Sequence, residues 1–148
     1  MKIRTDFVTN SSSSSFILSF KSEETIYEEL EKNDSLPSEF LDRVYNDMRK
    51  HLIPKDEAIV AIKEGIKDNL DYIYWRRYNY DYKTLKSDEV QAKMNEEAEQ
   101  IYADRYEKLV ESGDKVFVDV EYEDHIDGEL EHGIMPYLDN TIMRISHH

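Results

Sequence analysis

A chain of 148 residues is near the usual size of one domain, and with 39% hydrophobic and 11% aromatic residues it has enough apolar surface for a core, which excludes global disorder. Lys and Arg number 19 against 33 Asp and Glu, a net charge of -14 that repels nucleic-acid backbones and anionic membranes and fits a basic protein partner, a metal ion or solubility alone. The lack of cysteine removes disulfides, thiolate metal sites and cysteine nucleophiles; with no signal-peptide core at the start and no apolar run of about 18 residues, the chain reads as cytoplasmic and outside the membrane.

Residues 2–8 alternate Ile3, Thr5 and Phe7 against Arg4 and Asp6, and the serine run Ser11 to Ser15 separates them from a β-prone segment, 16–20. The opening fits either a hairpin with a serine-rich connection or a mobile tail up to Ser15. Ser22 then caps a short helix carrying Ile26, Tyr27 and Leu30, ended by Asn33 and Asp34. Pro37 and Ser38 open a second helix, whose Phe40, Leu41, Val44, Tyr45, Met48 and Leu52 recur at three- and four-residue steps and form one apolar stripe. After Pro54 a third helix carries Ile59, Ile62, Ile66, Leu70, Ile73 and Tyr74, weakened but not ended by Gly65.

A connection over 78–86 leads to Ser87 or Asp88, which caps a long helix bearing Val90, Met94, Ala98, Ile101, Tyr102, Tyr106 and Leu109 as far as Gly113. Beyond Gly113 the period becomes two, with Val116, Val118, Val120 and Tyr122 on one face and Phe117, Asp119, Glu121 and Glu123 on the other. Residues 124–140 read as a connection through Gly128, Gly133 and Pro136, and 141–146 as a last strand with Met143 and Ile145 on one face. The expectation is a single α+β domain over 1–148, with a small three- or four-stranded, mostly antiparallel sheet from the two chain ends packed against three or four helices.

Four histidines, His125, His132, His147 and His148, stand in the final stretch among Asp124, Asp127, Glu129 and Glu131. Imidazole and carboxylate are suitable ligands for zinc, nickel or manganese where cysteine is absent, so His125, Asp127, His132, His147 and His148 form a candidate divalent-metal set. The spacing fits neither H-E-x-x-H nor a calcium-binding EF-hand loop. Direct antiparallel pairing of 116–122 with 141–146 sets His147 and His148 on the order of 20 Å from His125, whereas a parallel arrangement brings them together. The competing reading is of exposed structural histidines, the terminal pair being a tag remnant.

The carboxylates of Asp119, Glu121 and Glu123 form a ladder that reads as a solvated strand face. Between Tyr72 and Tyr82 aromatics alternate with arginine, the composition of interface hot spots, so Tyr74, Trp75, Arg76, Arg77 and Tyr78 are candidate partner-binding residues. The alternative is a helix end whose tyrosines fold back on the domain. The serine run has neither the glycines and lysine of a phosphate loop nor a G-x-S-x-G elbow, which leaves it a linker or a modification target.

The opening Met1-Lys-Ile-Arg-Thr-Asp-Phe-Val-Thr-Asn-Ser-Ser-Ser-Ser-Ser-Phe-Ile17 resembles one shared by a loose group of small uncharacterised bacterial proteins, and the closing Arg144-Ile-Ser-His-His148 resembles their endings. The resemblance implies a bacterial origin and native terminal histidines, and it brings no activity with it. The function expected is non-enzymatic: binding or regulation through recognition of another protein, by the aromatic-arginine segment or the serine-rich opening. The second reading is a divalent-metal protein, with a metal-dependent hydrolase as its enzymatic form, centred on the His and carboxylate cluster.

Overall fold

A computed structural model describes residues 13–147 apart from Tyr78, and excludes the side chains of Arg77 and His147. The expected strand over 2–8 lies outside the described residues. The first described strand, β1 (Ser13–Phe20), begins three residues before the β-prone segment, so Ser13 to Ser15 of the serine run are strand. β1 is the centre of the sheet, whose order is β2-β3-β1-β4 with β2 (Leu52–Ile53), β3 (Val116–Glu123) and β4 (Thr141–His147). All three pairings are antiparallel. The α+β architecture, with a four-stranded antiparallel sheet built mainly from the two chain ends, is the one expected.

Phe-Ile-Leu-Ser-Phe shows no apolar alternation because both faces of β1 are covered, as a continuous apolar run requires. Phe16, Leu18 and Phe20 join Val118, Val120 and Tyr122 in a core closed by α1 (Ile26–Glu31), α2 (Ser38–Lys50) and the β3–β4 connection. On the opposite face Ile17, Phe117, Met143 and Ile145 pack against α3 (Lys55–Arg77), which in turn packs against α5 (Asp88–Ile101). The even and odd positions of β3 thus divide as their two-residue period requires.

Local signals set most boundaries. Pro37 stands at the N-cap of α2. Ser87 Oγ accepts from Val90 N–H to cap α5, and Asp81 caps the short α4 (Tyr82–Leu85) by accepting from Thr84 N–H at 2.7 Å. The α3 chain reverses at Asn79, whose φ of 55° lies in the left-handed region that asparagine tolerates. The long helix expected up to Gly113 is α5, a π-turn (Tyr102–Tyr106) and α6 (Glu107–Val110).

Four segments differ from the sequence reading. Ser22 does not cap α1, whose N-cap is Thr25 with no side-chain cap bond, because Ser22 and Thr25 form a turn ahead of the helix. Residues 82–85 of the expected 78–86 connection form α4. Leu52 does not extend the α2 stripe: His51 Nδ1 donates to the Asp47 carbonyl at 2.8 Å as α2 ends, and Leu52 with Ile53 forms the edge strand. The 124–140 connection is mostly helical, with α7 (Asp124–Gly128), a π-turn (Glu129–Ile134) and a 3-10 turn (Met135–Tyr137). Its buried residues Leu130, Ile134 and Met135, with Leu138 just beyond the last turn, fill the α1/α2 core.

Candidate functional site

β1 is antiparallel to both β3 and β4, so these two run parallel without touching. Ser13 opposes Glu123 on one side and His147 on the other. The backbones at Glu123 and His147 therefore lie at the same end of the sheet, about 10 Å apart at two strand spacings. The 124–140 connection is the crossover this parallel arrangement requires: it returns from the Ser13 end of β1 to the Leu18 end, packing Leu130, Ile134 and Met135 on one face of the sheet.

At that end three groups converge. Asp124 opens α7 directly after β3, and Glu131 and His132 are adjacent in the following π-turn. His132 Nε2 lies 2.7 Å from Asp124 Oδ1 and 2.8 Å from Glu131 Oε1. Asp124 and His132 are about half exposed, but Glu131 is fully buried. The Glu131–His132 contact has an ion-pairing distance without hydrogen-bond alignment, and neither Glu131 oxygen has a hydrogen-bond partner.

The other edge of the imidazole faces β4, with Arg144 Nη2 3.1 Å from His132 Nδ1. A guanidinium has no lone pair to accept with, so Nδ1 is the acceptor and the ring proton sits on Nε2. That proton meets Asp124, while Arg144 Nε donates to Ser14 Oγ at 3.1 Å. Ser14 is buried, which joins the serine run, β4 and the β3–β4 connection in one polar chain.

Of the metal candidates, His132 belongs to this cluster. Asp127 faces away from it, accepting from Arg43 Nη2 at 2.6 Å, and His125 is exposed with no described partner in the cluster. The His147 side chain and His148 lie outside the described residues. Asp124 and Glu131 stand beside His132 in place of the other expected ligands, with Arg144 on the far edge of the ring. Glu131 had a signal in the sequence, since it lies at helical spacing from Ile134 and Met135, an inward position for a carboxylate.

The second candidate region is the far end of α3. Tyr74 was expected at a partner surface, and this is corrected: it is 2% exposed, its hydroxyl donates to Glu97 Oε2 at 2.6 Å, and Tyr80 folds back edge-on against it. Trp75 is 50% exposed, edge-on to exposed Tyr72 with Arg76 stacked over its ring at 5.5 Å. The Arg77 side chain and Tyr78 are outside the described residues.

On the helical wheel Glu57, Val60, Glu64, Asp68, Asp71 and Trp75 follow one solvent-facing stripe of α3. At its start Asp56, Glu57, Glu64 and Asp119 join Ile53, Val60 and Ala61 around an open groove of about 300 Å³. Asp119 of the strand ladder thus faces three carboxylates of the helix. No family model matches the sequence, and neither does any curated protein or solved structure.

Proposed function

We propose that this is a non-enzymatic binding protein that recognises a basic segment of another protein along the exposed stripe of α3. The observation that carries this reading is the half-exposed Trp75, held between Tyr72 and Arg76 at the end of a row of carboxylates. A tryptophan exposed to this extent yields little to folding, whereas a partner that covers it gains a large apolar face; Trp, Tyr and Arg dominate interface energetics for that reason. Val60, 53% exposed, supplies a second apolar contact near the stripe's other end. From Glu57 to Trp75 the stripe runs about 27 Å, the length of a helical segment of roughly 18 residues.

Charge complementarity selects the partner's sign. The net charge of -14 and the groove of Asp56, Glu57, Glu64 and Asp119 attract a cationic segment and speed its encounter, and they repel nucleic acid. The same chemistry makes binding weaken as salt is added.

Trp75 is the chain's single tryptophan, so its fluorescence reports occupancy directly. A cationic amphipathic peptide of arginine and leucine is expected to shift that emission saturably, and Trp75→Ala to weaken the calorimetric affinity by about 2 kcal/mol, as for an interface hot spot. Equal binding of an acidic peptide of the same length, or no response at millimolar peptide, overturns the proposal.

A further inference from the structure

We infer that Asp124, Glu131 and His132 form a divalent transition-metal site of the zinc and manganese class, separate from the α3 stripe. Clustered acids alone do not make a site. What distinguishes this one is Glu131, a carboxylate buried to 0% exposure with both oxygens lacking hydrogen-bond partners, one of them 2.8 Å from the imidazole nitrogen that also faces Asp124. A single N–H directed at two carboxylates compensates only one of them. A cation compensates both, and buried carboxylates are retained where they are paired or coordinate a metal.

The geometry is close to that of a ligand set. The three donor atoms lie within 4.8 Å of one another. Ligands each about 2.0–2.2 Å from one ion stand about 3.0–3.6 Å apart, so the contacts at 2.7 and 2.8 Å open slightly to admit it. Two carboxylates and one imidazole suit zinc or manganese better than calcium, whose ligands are all oxygen. Because Asp124 and His132 are half exposed, the ion keeps a position for water or for an external ligand.

Arg144 tunes the site. A metal on His132 Nε2 displaces the proton there, and the neutral ring then carries its proton on Nδ1, where the guanidinium now donates. Binding therefore requires Arg144 Nη2 to leave Nδ1. Arg144→Gln supplies an oxygen that accepts from Nδ1–H, the arrangement that favours ligation, and is expected to tighten binding where a purely structural arginine would not.

Calorimetric titration of the full chain with zinc chloride and with manganese chloride tests the site. Expected are one ion bound per chain with submillimolar affinity, at least about tenfold weakening in Glu131→Gln and in His132→Ala, and about tenfold tightening in Arg144→Gln. Glu131→Gln removes the buried charge, so its melting temperature without metal rises while its metal response falls. Should either variant fail to fold, Asp124→Asn, at a half-exposed position, replaces it with the same expectation. No heat from either metal at millimolar concentration overturns the proposal, and so does binding that survives these substitutions but is lost when His147 and His148 are changed to alanine.

Discussion

Tyr122 shows how a single side chain couples two layers. It is buried on β3 and its hydroxyl donates to Asp47 Oδ2 on α2 at 2.8 Å. Burial, first, and the Asp47 hydrogen bond, second, push its pKa far above the ordinary tyrosine range. The folded state therefore holds this proton more tightly than the unfolded chain does. Its contribution is fully present below about pH 10 and is lost as pH rises beyond that, since only the unfolded chain gives up the proton there. In denaturant titrations, Tyr122→Phe is expected to cost about 1 kcal/mol at neutral pH and to flatten the loss of stability above about pH 10. An unchanged alkaline slope would count against the assignment. Asn33 works similarly within one core: its amide donates to the Glu29 carbonyl and Asn140 Oδ1, and its own oxygen accepts from Asp139 N–H at 2.6 Å, so the residue that marks the end of α1 in sequence also clasps the β3–β4 connection.

At the scale of elements, the fit of α3 onto β4 depends on Gly65. A Cβ at this position would lie 2.6 Å from both Cδ1 and Cγ1 of Ile145 and 3.2 Å from the Met143 methyl, so the missing side chain sets how closely helix and strand approach. Alanine gains about 1 kcal/mol of helix propensity, but overpacking costs about 1–3 kcal/mol, and because Cγ1 is not a free chain end the clash is expected to win. Gly65→Ala should lower stability in chemical denaturation, and adding Ile145→Val, which removes Cδ1, should recover part of the loss. A stabilised single variant would show that β4 yields easily. The sequence reading treated Gly65 only as a weak point in the helix, because propensity is local and the reason for the glycine lies 80 residues further along. Period and breakers made α2, α3, α5 and β3 legible for the same reason: each signal lies within one element. The two-residue β2, held by Asp119 N–H to the His51 carbonyl, is too short to have a period. Glu131 and His132 were visible as residues, yet their convergence with Asp124 arises from a π-turn that glycines disguised as loop.

For the molecule as a whole, the 33 acidic residues outnumber the 19 basic ones, and four of the acidic side chains meet where α3 lies beside the sheet edge. Asp56, Glu57, Glu64 and Asp119 share one groove, and a net charge of -14 disfavours the compact state through general self-repulsion. Salt screens such repulsion, the Debye length falling from about 30 Å at 0.01 M to about 3 Å at 1 M. The melting temperature is therefore expected to rise with sodium chloride over this range, against the usual loss of surface ion pairs such as Arg43 with Asp47. Glu64→Lys should raise the low-salt melting temperature by about 1–3 °C and weaken its salt dependence. If the acidic stripe serves only solubility, this variant still takes up the cationic peptide at the wild-type affinity. If the stripe is kept for recognition, stability and capture move in opposite directions: Glu64→Lys melts higher at low salt and binds the peptide less tightly, the trade expected where a surface is held strained for function. Calorimetry and peptide titration on the same preparation separate the two, and a Glu64→Lys protein that is more stable and binds equally well would remove the stripe from the binding surface.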